Sequence, residues 1–364
     1  RVTAGPAGCC AGDGWRPPRD RRATGPRAAG HLDRALGRLR DAGVEAAVFD
    51  ACEANPDGAM VDRGVEFAAA RRPDGVIGLG GGSPLDCAKG INLLLTNGGT
   101  IADYKGYGLA RKPLLPMIAV PTTAGTGSEA QSYAVIADSA THMKMACGDP
   151  RLAFAVAILD PELTVSQPPA VTAAAGFDAL AHAVETAVTT RRTPISTLFS
   201  HAAFRLLEPH YERTLADPGD VDARAAMQLG AFYAGVAIEH SMLGAAHACA
   251  NPLTARYALT HGVALAVLLP HVVRWNAEGN GDLYDDIAGG LPAASHGGPA
   301  GDRLARRLAD AGRSGGFPAD LRTAGVAADD LPSLAEAAAT QWTGTFNPRS
   351  FGARAALELY QRAW

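Results

Sequence analysis

Between His31 and Pro121 the chain alternates between amphipathic helix and short apolar strand, and this alternation constrains the fold more than any other feature. HLDRALGRLRDAG (31–43) spaces its leucines along one helical face and stops at Gly43, and EAAVFDA then reads as a buried strand. MVDRGVEFAAARRP follows as helix, DGVIGLG as strand, SPLDCAKGINLLLT as helix and LLPMIAVP as strand. Strands separated by helices at this spacing predict a parallel α/β sheet. After DPELT (160–164) the character changes, and alanine- and leucine-rich helical patterns run from Pro169 to the C-terminus, broken by the Gly/Pro/Ser-rich loop at 289–302. A chain of 364 residues is long enough for two cores. The division expected is an α/β dinucleotide-binding domain at 28–165 and an all-helical metal-binding domain at 166–364. Residues 1–27 are rich in Gly, Pro and Arg and show neither a period of 2 nor of 3.6. They are expected to be irregular, with few apolar contacts and no strand.

Composition narrows the partners. A formal net charge of −4 supplies no broad positive field, so nucleic acid is not expected and a small molecule is. No apolar run approaches the roughly 20 residues of a membrane span, and the N-terminus shows no signal-peptide core. Six cysteines are scattered without a CxxC pair, which predicts a reducing, cytoplasmic setting.

Two loops carry the signature of phosphate binding. GVIGLGGGSPLD places Gly80, Gly81 and Gly82 after an apolar strand, with Ser83 expected as N-cap and Pro84 at the first helical position. Glycines let backbone N–H groups approach phosphate, and a helix N-terminus adds about half a positive charge. The spacing is not GxGxxG, and a tight turn without a ligand is the alternative. PTTAGTGSE (121–129) follows a second apolar strand and offers the hydroxyls of Thr122, Thr123 and Thr126, although a self-satisfied turn would look the same. Together, at the ends of strands from one sheet, the loops suggest a dinucleotide.

A metal constellation lies in the helical half. Asp178 and His182 stand at i and i+4, one turn apart on the same face. His247 and His261 add two imidazoles in apolar surroundings that need a polar partner. Three histidines and one aspartate suit Fe2+ or Zn2+, with no thiolate to favour a softer ion. A hydrogen-bonded core histidine is the alternative at each position, and spacing alone does not decide.

GGGSPLDCAK, PTTAGTGSE, GFDALAHAVE, the His247-to-His261 spacing followed by HGVALAVLLPHVVRWN, and FNPR at 346–349 occur in one order. As a set, covering about residues 28–364, they resemble the iron-containing (group III) alcohol dehydrogenases. The resemblance implies an N-terminal dinucleotide-binding domain, a helical C-terminal domain and an active site in the cleft between them. It implies Asp178, His182, His247 and His261 as ligands of Fe2+, with Zn2+ the alternative. Gly81, Gly82 and Ser83 would hold the pyrophosphate of NAD or NADP, with Asp86, Thr122, Thr123, Thr126 and Lys144 completing the cofactor site. The activity implied is metal-dependent interconversion of a small alcohol and its aldehyde or ketone by hydride transfer to or from the nicotinamide, in a homo-oligomer expected to be a dimer.

Maleylacetate reductase-like and glycerol dehydrogenase-like enzymes, or a degenerate relative without catalysis, are the alternatives. A lyase like dehydroquinate synthase would carry several Lys and Arg around its substrate, and residues 165–290 hold few beside the ligand motifs. Two departures from the family pattern stand out. Residues 1–27 lack the family's opening turn, helix and first strand ending in Thr-Asp, which predicts a sheet short of one strand and weaker cofactor binding. Asn251 stands where many members carry a second histidine four residues after the third ligand. As a catalytic-site residue, Asn251 would orient groups but could not titrate.

Overall fold

The computed structural model describes residues 2–5, 29–139, 143–291 and 297–364, which divide into two compact units at Gln167/Pro168. In the first unit β1 (Val2–Gly5) precedes α1 (His31–Asp41), β2 (Ala46–Val48), α2 (Gly58–Ala69), β3 (Gly75–Gly80) and α3 (Gly82–Asn97). Two short strands, β4 (Gly106–Tyr107) and β5 (Met117–Pro121), lead to β6 (Tyr133–Ala137), β7 (Lys144–Gly148) and β8 (Val156–Ala157). Five strands form a wholly parallel sheet in the order β2-β1-β3-β5-β8. Helices cover the faces of such a sheet, which is why β3 reads GVIGLG without alternation and is buried along almost its whole length. Val61, Ile91, Leu94 and Ile136 form the larger core of this unit, and Val76, Ala88 and Met117 a smaller one.

The expectation that residues 1–27 contribute no strand is corrected. Val2–Gly5 lies in the middle of the sheet, with Val2 paired to both Ala46 and Gly75. Four residues are too few to show a period, and the ladders on either side, set by β2 and β3, decide the conformation. The strand is present but reads VTAG, so of the two premises for weaker cofactor binding the missing strand falls and the missing Thr-Asp ending stays. Residues 6–28 lie outside the described residues, and with them the rest of the expectation about this segment. A second, three-stranded sheet in the order β4-β7-β6 was not foreseen.

The strand order places the switch point between β1 and β3, since β2 lies on one side of β1 and β3 and β5 lie on the other. Ligands of open parallel sheets bind beyond the strand C-termini at such a point. The carboxyl end of β3 is Gly80, where the glycine turn begins.

The second unit is helical: α4 (Pro169–Val188), α5 (Pro194–Ala216), α6 (Val221–Glu239), α7 (Ala245–Tyr257), α8 (His261–Ala277), α9 (Asp285–Ala288), α10 (Ala300–Ser314), α11 (Leu331–Ala339) and α12 (Ala353–Ala363). Helix α4 is buried on nearly all sides from Thr172 onward and packs against α5, α6 and α8. A helix that is apolar all round belongs in the centre of its unit. Its few polar side chains therefore need partners there. Among the described residues no helix is long and apolar enough to cross a membrane.

Candidate functional site

Helix α4 presents Asp178 and His182 one turn apart, while His247 stands in the first turn of α7 and His261 opens α8. All converge on one atom. Asp178 Oδ1 lies 3.4 Å from His182 Nε2, 3.5 Å from His247 Nε2 and 3.9 Å from His261 Nε2. The rings of His182 and His247 stack with centroids 4.8 Å apart. Donors about 2.1 Å from a tetrahedral ion sit about 3.4 Å from one another, so the distances to Asp178 suit a shared small cation, and Asp178, His247 and His261 have donor atoms within 4.8 Å of one another. Asp178 Oδ1 and His247 Nε2 are buried and make no well-formed hydrogen bond. Buried polar atoms of this kind need an explanation, and a cation supplies it.

Glu185, one further turn along α4, completes the arrangement. Its carboxylate accepts from His247 Nδ1 and, at 2.7 Å, from the backbone N–H of Ala246. A carboxylate on Nδ1 fixes the tautomer that turns the Nε2 lone pair toward the cluster, as in carboxylate–histidine–metal triads. Burial works against a charged His247, but Glu185 and Asp178 on its two nitrogens outweigh it and push the imidazole up to about 9. Burial alone would raise Asp178, yet the charges of His182, His247 and His261 hold it far below the usual carboxylate range.

In the first unit the glycine turn differs in detail from the sequence reading. Gly81, not Ser83, is the N-cap of α3, because the Gly81 carbonyl accepts the first helical hydrogen bond, from Leu85 N–H. Ser83 sits within the first turn, and its Oγ accepts from Asn55 N–H at 3.2 Å. Gly80 has φ +144°, where side-chain-bearing residues are strained. Gly81 and Gly82 are required by proximity: a Cβ on Gly82 would lie 2.6 Å from Thr126 Cγ2, and one on Gly81 3.0 Å from Thr123 Cγ2. The glycine turn and the 121–129 loop are thus pressed together, with the helix N-terminus and its unpaired first N–H groups at the junction.

Lys89 and Asp86 hold that loop from beneath. Lys89 is fully buried, and its Nζ donates to the carbonyls of Ser128, Gln131 and Tyr133 at 2.7–2.8 Å. Asp86 accepts from Ser128 Oγ at 2.6 Å and from Val135 N–H at 3.2 Å. Both Asp86 oxygens are thus engaged by protein groups. Thr122 is buried, and its carbonyl accepts from Gln167. Lys144 opens β7, paired with Ala137.

Glu129, in the same loop, is pushed from the usual 4.5 up to about 7 by burial. The folded protein therefore retains a proton that the unfolded chain loses between these values, so stability should fall as pH rises through that window. At about 1.4 kcal/mol per pH unit the cost reaches about 3 kcal/mol above pH 7. Glu129→Gln is expected to flatten this slope and to exceed wild type in stability at pH 8. Urea unfolding of both proteins at pH 5 and pH 8 checks it, and parallel pH slopes would refute it.

Comparison with known proteins decides the family. The model for iron-containing alcohol dehydrogenases matches residues 23–161, and that for the family's C-terminal domain matches residues 172–364. The chain belongs to the iron-containing alcohol dehydrogenases. It is 36% identical to the NAD-dependent methanol dehydrogenase of Bacillus methanolicus, over 85% of this chain and 82% of that one. It is 34% identical to the lactaldehyde reductase of Escherichia coli K12, over 92% and 88% respectively. Among solved structures a 1,3-propanediol oxidoreductase superposes with a TM-score of 0.90 at 32% identity, covering all of this chain and 92% of the other. Membership brings the activity at the level of alcohol–carbonyl interconversion, with NAD-dependent relatives and an iron-type centre.

Within this member of the family, Asp178, His247 and His261 place donor atoms within 4.8 Å of one another, His182 Nε2 lies 3.4 Å from Asp178 Oδ1, and Gly81 and Gly82 lie against Thr123 and Thr126. Asn251 lies in the middle of α7, and its Nδ2 donates to Gln341 Oε1 at 3.0 Å. Glu185 and Lys89 were missed. Glu185 carried a readable signal, because it continues the Asp178–His182 stripe at i+7. Lys89 carried one too, as one of two charges, with Asp86 one turn before it, in the otherwise uncharged α3.

Proposed function

We propose that this protein interconverts short primary alcohols or small diols and their aldehydes with NAD, holding Fe2+ on Asp178, His182, His247 and His261. The observation that carries the proposal is the convergence of three imidazoles on one buried carboxylate oxygen. A divalent metal held there supplies Lewis-acid polarisation of the substrate oxygen. Glu185 keeps His247 in the tautomer that binds a cation. Gly81, Gly82 and Ser83 offer backbone N–H groups and the α3 N-terminus to the cofactor pyrophosphate, with Thr122, Thr123 and Thr126 opposite them. Asp86 acts on this site indirectly, by tying Ser128 to α3. Lys144 is assigned to the cofactor by its place in the family motif. Asn251 orients through its amide and leaves proton transfer to other groups.

Relatives that act on methanol, 1,3-propanediol and lactaldehyde support a small polar substrate, and a sulfoacetaldehyde reductase of 26% identity solved with NAD+ supports NAD. Free buried Cys52, Cys87, Cys147 and Cys249 support a reducing cytoplasm. The test is NAD reduction by the Fe2+-loaded and Zn2+-loaded protein with methanol, ethanol, 1-propanol, 1,3-propanediol and glycerol, and the reverse reaction with aldehydes and maleylacetate. Turnover with short primary alcohols, lost on chelation, is expected. Faster turnover of glycerol or maleylacetate would move the assignment to those classes, and no turnover of any would support a degenerate relative.

A further inference from the structure

The helix that delivers His247 begins without a side chain to cap it. Its N-cap is Gly244, whose carbonyl accepts from Ala248 N–H but which has no side chain to accept from the N–H groups of Ala245 and Ala246. Two side chains from distant parts of the unit take over that role. Asn347 Oδ1 accepts from Ala245 N–H at 3.2 Å, and Glu185 Oε1 accepts from Ala246 N–H at 2.7 Å. His247 is the next residue.

Asn347 is itself locked. Its Nδ2 donates to the Arg349 carbonyl at 2.8 Å and to Asn276 Oδ1 at 2.8 Å, while its Oδ1 also accepts from Asn276 Nδ2 at 3.2 Å. The amide has one possible orientation, because Ala245 N–H can only donate and the Arg349 carbonyl can only accept. Asn276 lies on α8, the helix that His261 opens. One buried amide therefore ties the first turn of α7 to α8 and to the 346–349 segment. Space at the junction is fixed as tightly: a Cβ on Gly244 would lie 3.0 Å from both Asn347 Oδ1 and Glu185 Oε1.

We infer that Asn347, together with Gly244, is a positioning residue for the metal centre, setting the height and rotation of α7 so that His247 Nε2 meets Asp178 Oδ1. This rests on the four-ligand reading above. Asn347 touches neither ion nor substrate and acts through the backbone of Ala245. Without its acceptor the first turn of α7 is held by Glu185 alone. Partners that orient ligands from outside typically change metal affinity by about 10- to 100-fold.

The experiment is Zn2+ titration of metal-free protein against a chromogenic chelator, for wild type, Asn347→Ala, Gly244→Ala and Asp178→Ala, with melting curves of each metal-free protein. Asn347→Ala and Gly244→Ala are expected to weaken Zn2+ by about 10- to 100-fold, with the metal-free melting temperature lowered by only a few degrees, on the order of a lost helix cap. Wild-type Zn2+ affinity in both, whatever their melting temperatures, overturns the inference if Asp178→Ala has lost the site. Should Asn347→Ala fail to fold, Gly244→Ala, which adds a single methyl group at the same junction, decides alone. Unchanged affinity in Asp178→Ala would instead refute the ligand set itself.

Discussion

Asp178→Ala is expected to leave the protein with almost no bound metal and to lower turnover by about 1,000-fold or more, since Lewis-acid stabilisation is worth several kcal/mol and each 1.4 kcal/mol is tenfold in rate. Asp178 is the common neighbour of His182, His247 and His261, and the one carboxylate among them. Replacing any single histidine leaves three donors. Replacing Asp178 removes the negative charge that balances the cation and the atom on which all three imidazoles converge. Asp178→Asn, which keeps the shape and loses the charge, is expected to behave almost as badly. Metal content of the purified variants and NAD reduction with the best alcohol check both statements. Full occupancy with an unchanged rate in either variant would end the assignment.

Lys89→Met is expected to produce the largest loss of stability, about 3–5 kcal/mol, which is typical of removing one partner from a buried charged network. The methionine fills the volume but supplies no donor, so the carbonyls of Ser128, Gln131 and Tyr133 lose the Lys89 hydrogen bonds, and Asp86 loses the ammonium 4.0 Å away. Each buried acceptor left without a donor costs about 1–3 kcal/mol. The same change should loosen the 121–129 loop and weaken NAD, because Thr123 and Thr126 lean on Gly81 and Gly82 from that loop. Lys89→Arg is not expected to rescue, since a planar fork does not fit a slot shaped for a point charge. Thermal melting and NAD titration provide the check. A melting temperature within about 2 °C of wild type would show that the loop is held by other means, given about 2–4 °C per kcal/mol for a unit of this size.

The parts of this molecule that sequence made legible are those whose cause is local. The apolar strand GVIGLG, the glycine turn after it and the Asp178–His182 pair all express a period or a turn within a dozen residues. What escaped was determined from far away. Val2–Gly5 is a strand because Ala46–Val48 and Gly75–Gly78 flank it, and nothing in VTAG alone requires it. Asn347 caps a helix that begins 102 residues earlier in the chain. The capping of α3 was misread for a different reason: Ser is the commoner N-cap, but here the chain already turns at Gly81, and Ser83 falls inside the helix. The four metal ligands lie between these cases. Each histidine alone was indistinguishable from a core residue, and only the family pattern selected the set before the geometry brought them together.

The central position of β1 also bears on how the chain reaches its native state. In synthesis from the N-terminus, Val2–Gly5 emerges before either of its neighbours, and its partner in β3 follows about 70 residues later. Ala46–Val48 can join one edge earlier, but until β3 is made the other edge has no ladder. Pairings between segments so far apart are slow to form, because the entropy of closing the loop is lost before the sheet returns any energy. The middle of the sheet is therefore a late event in folding, and an unpaired strand with exposed edges is the state most open to association with another chain.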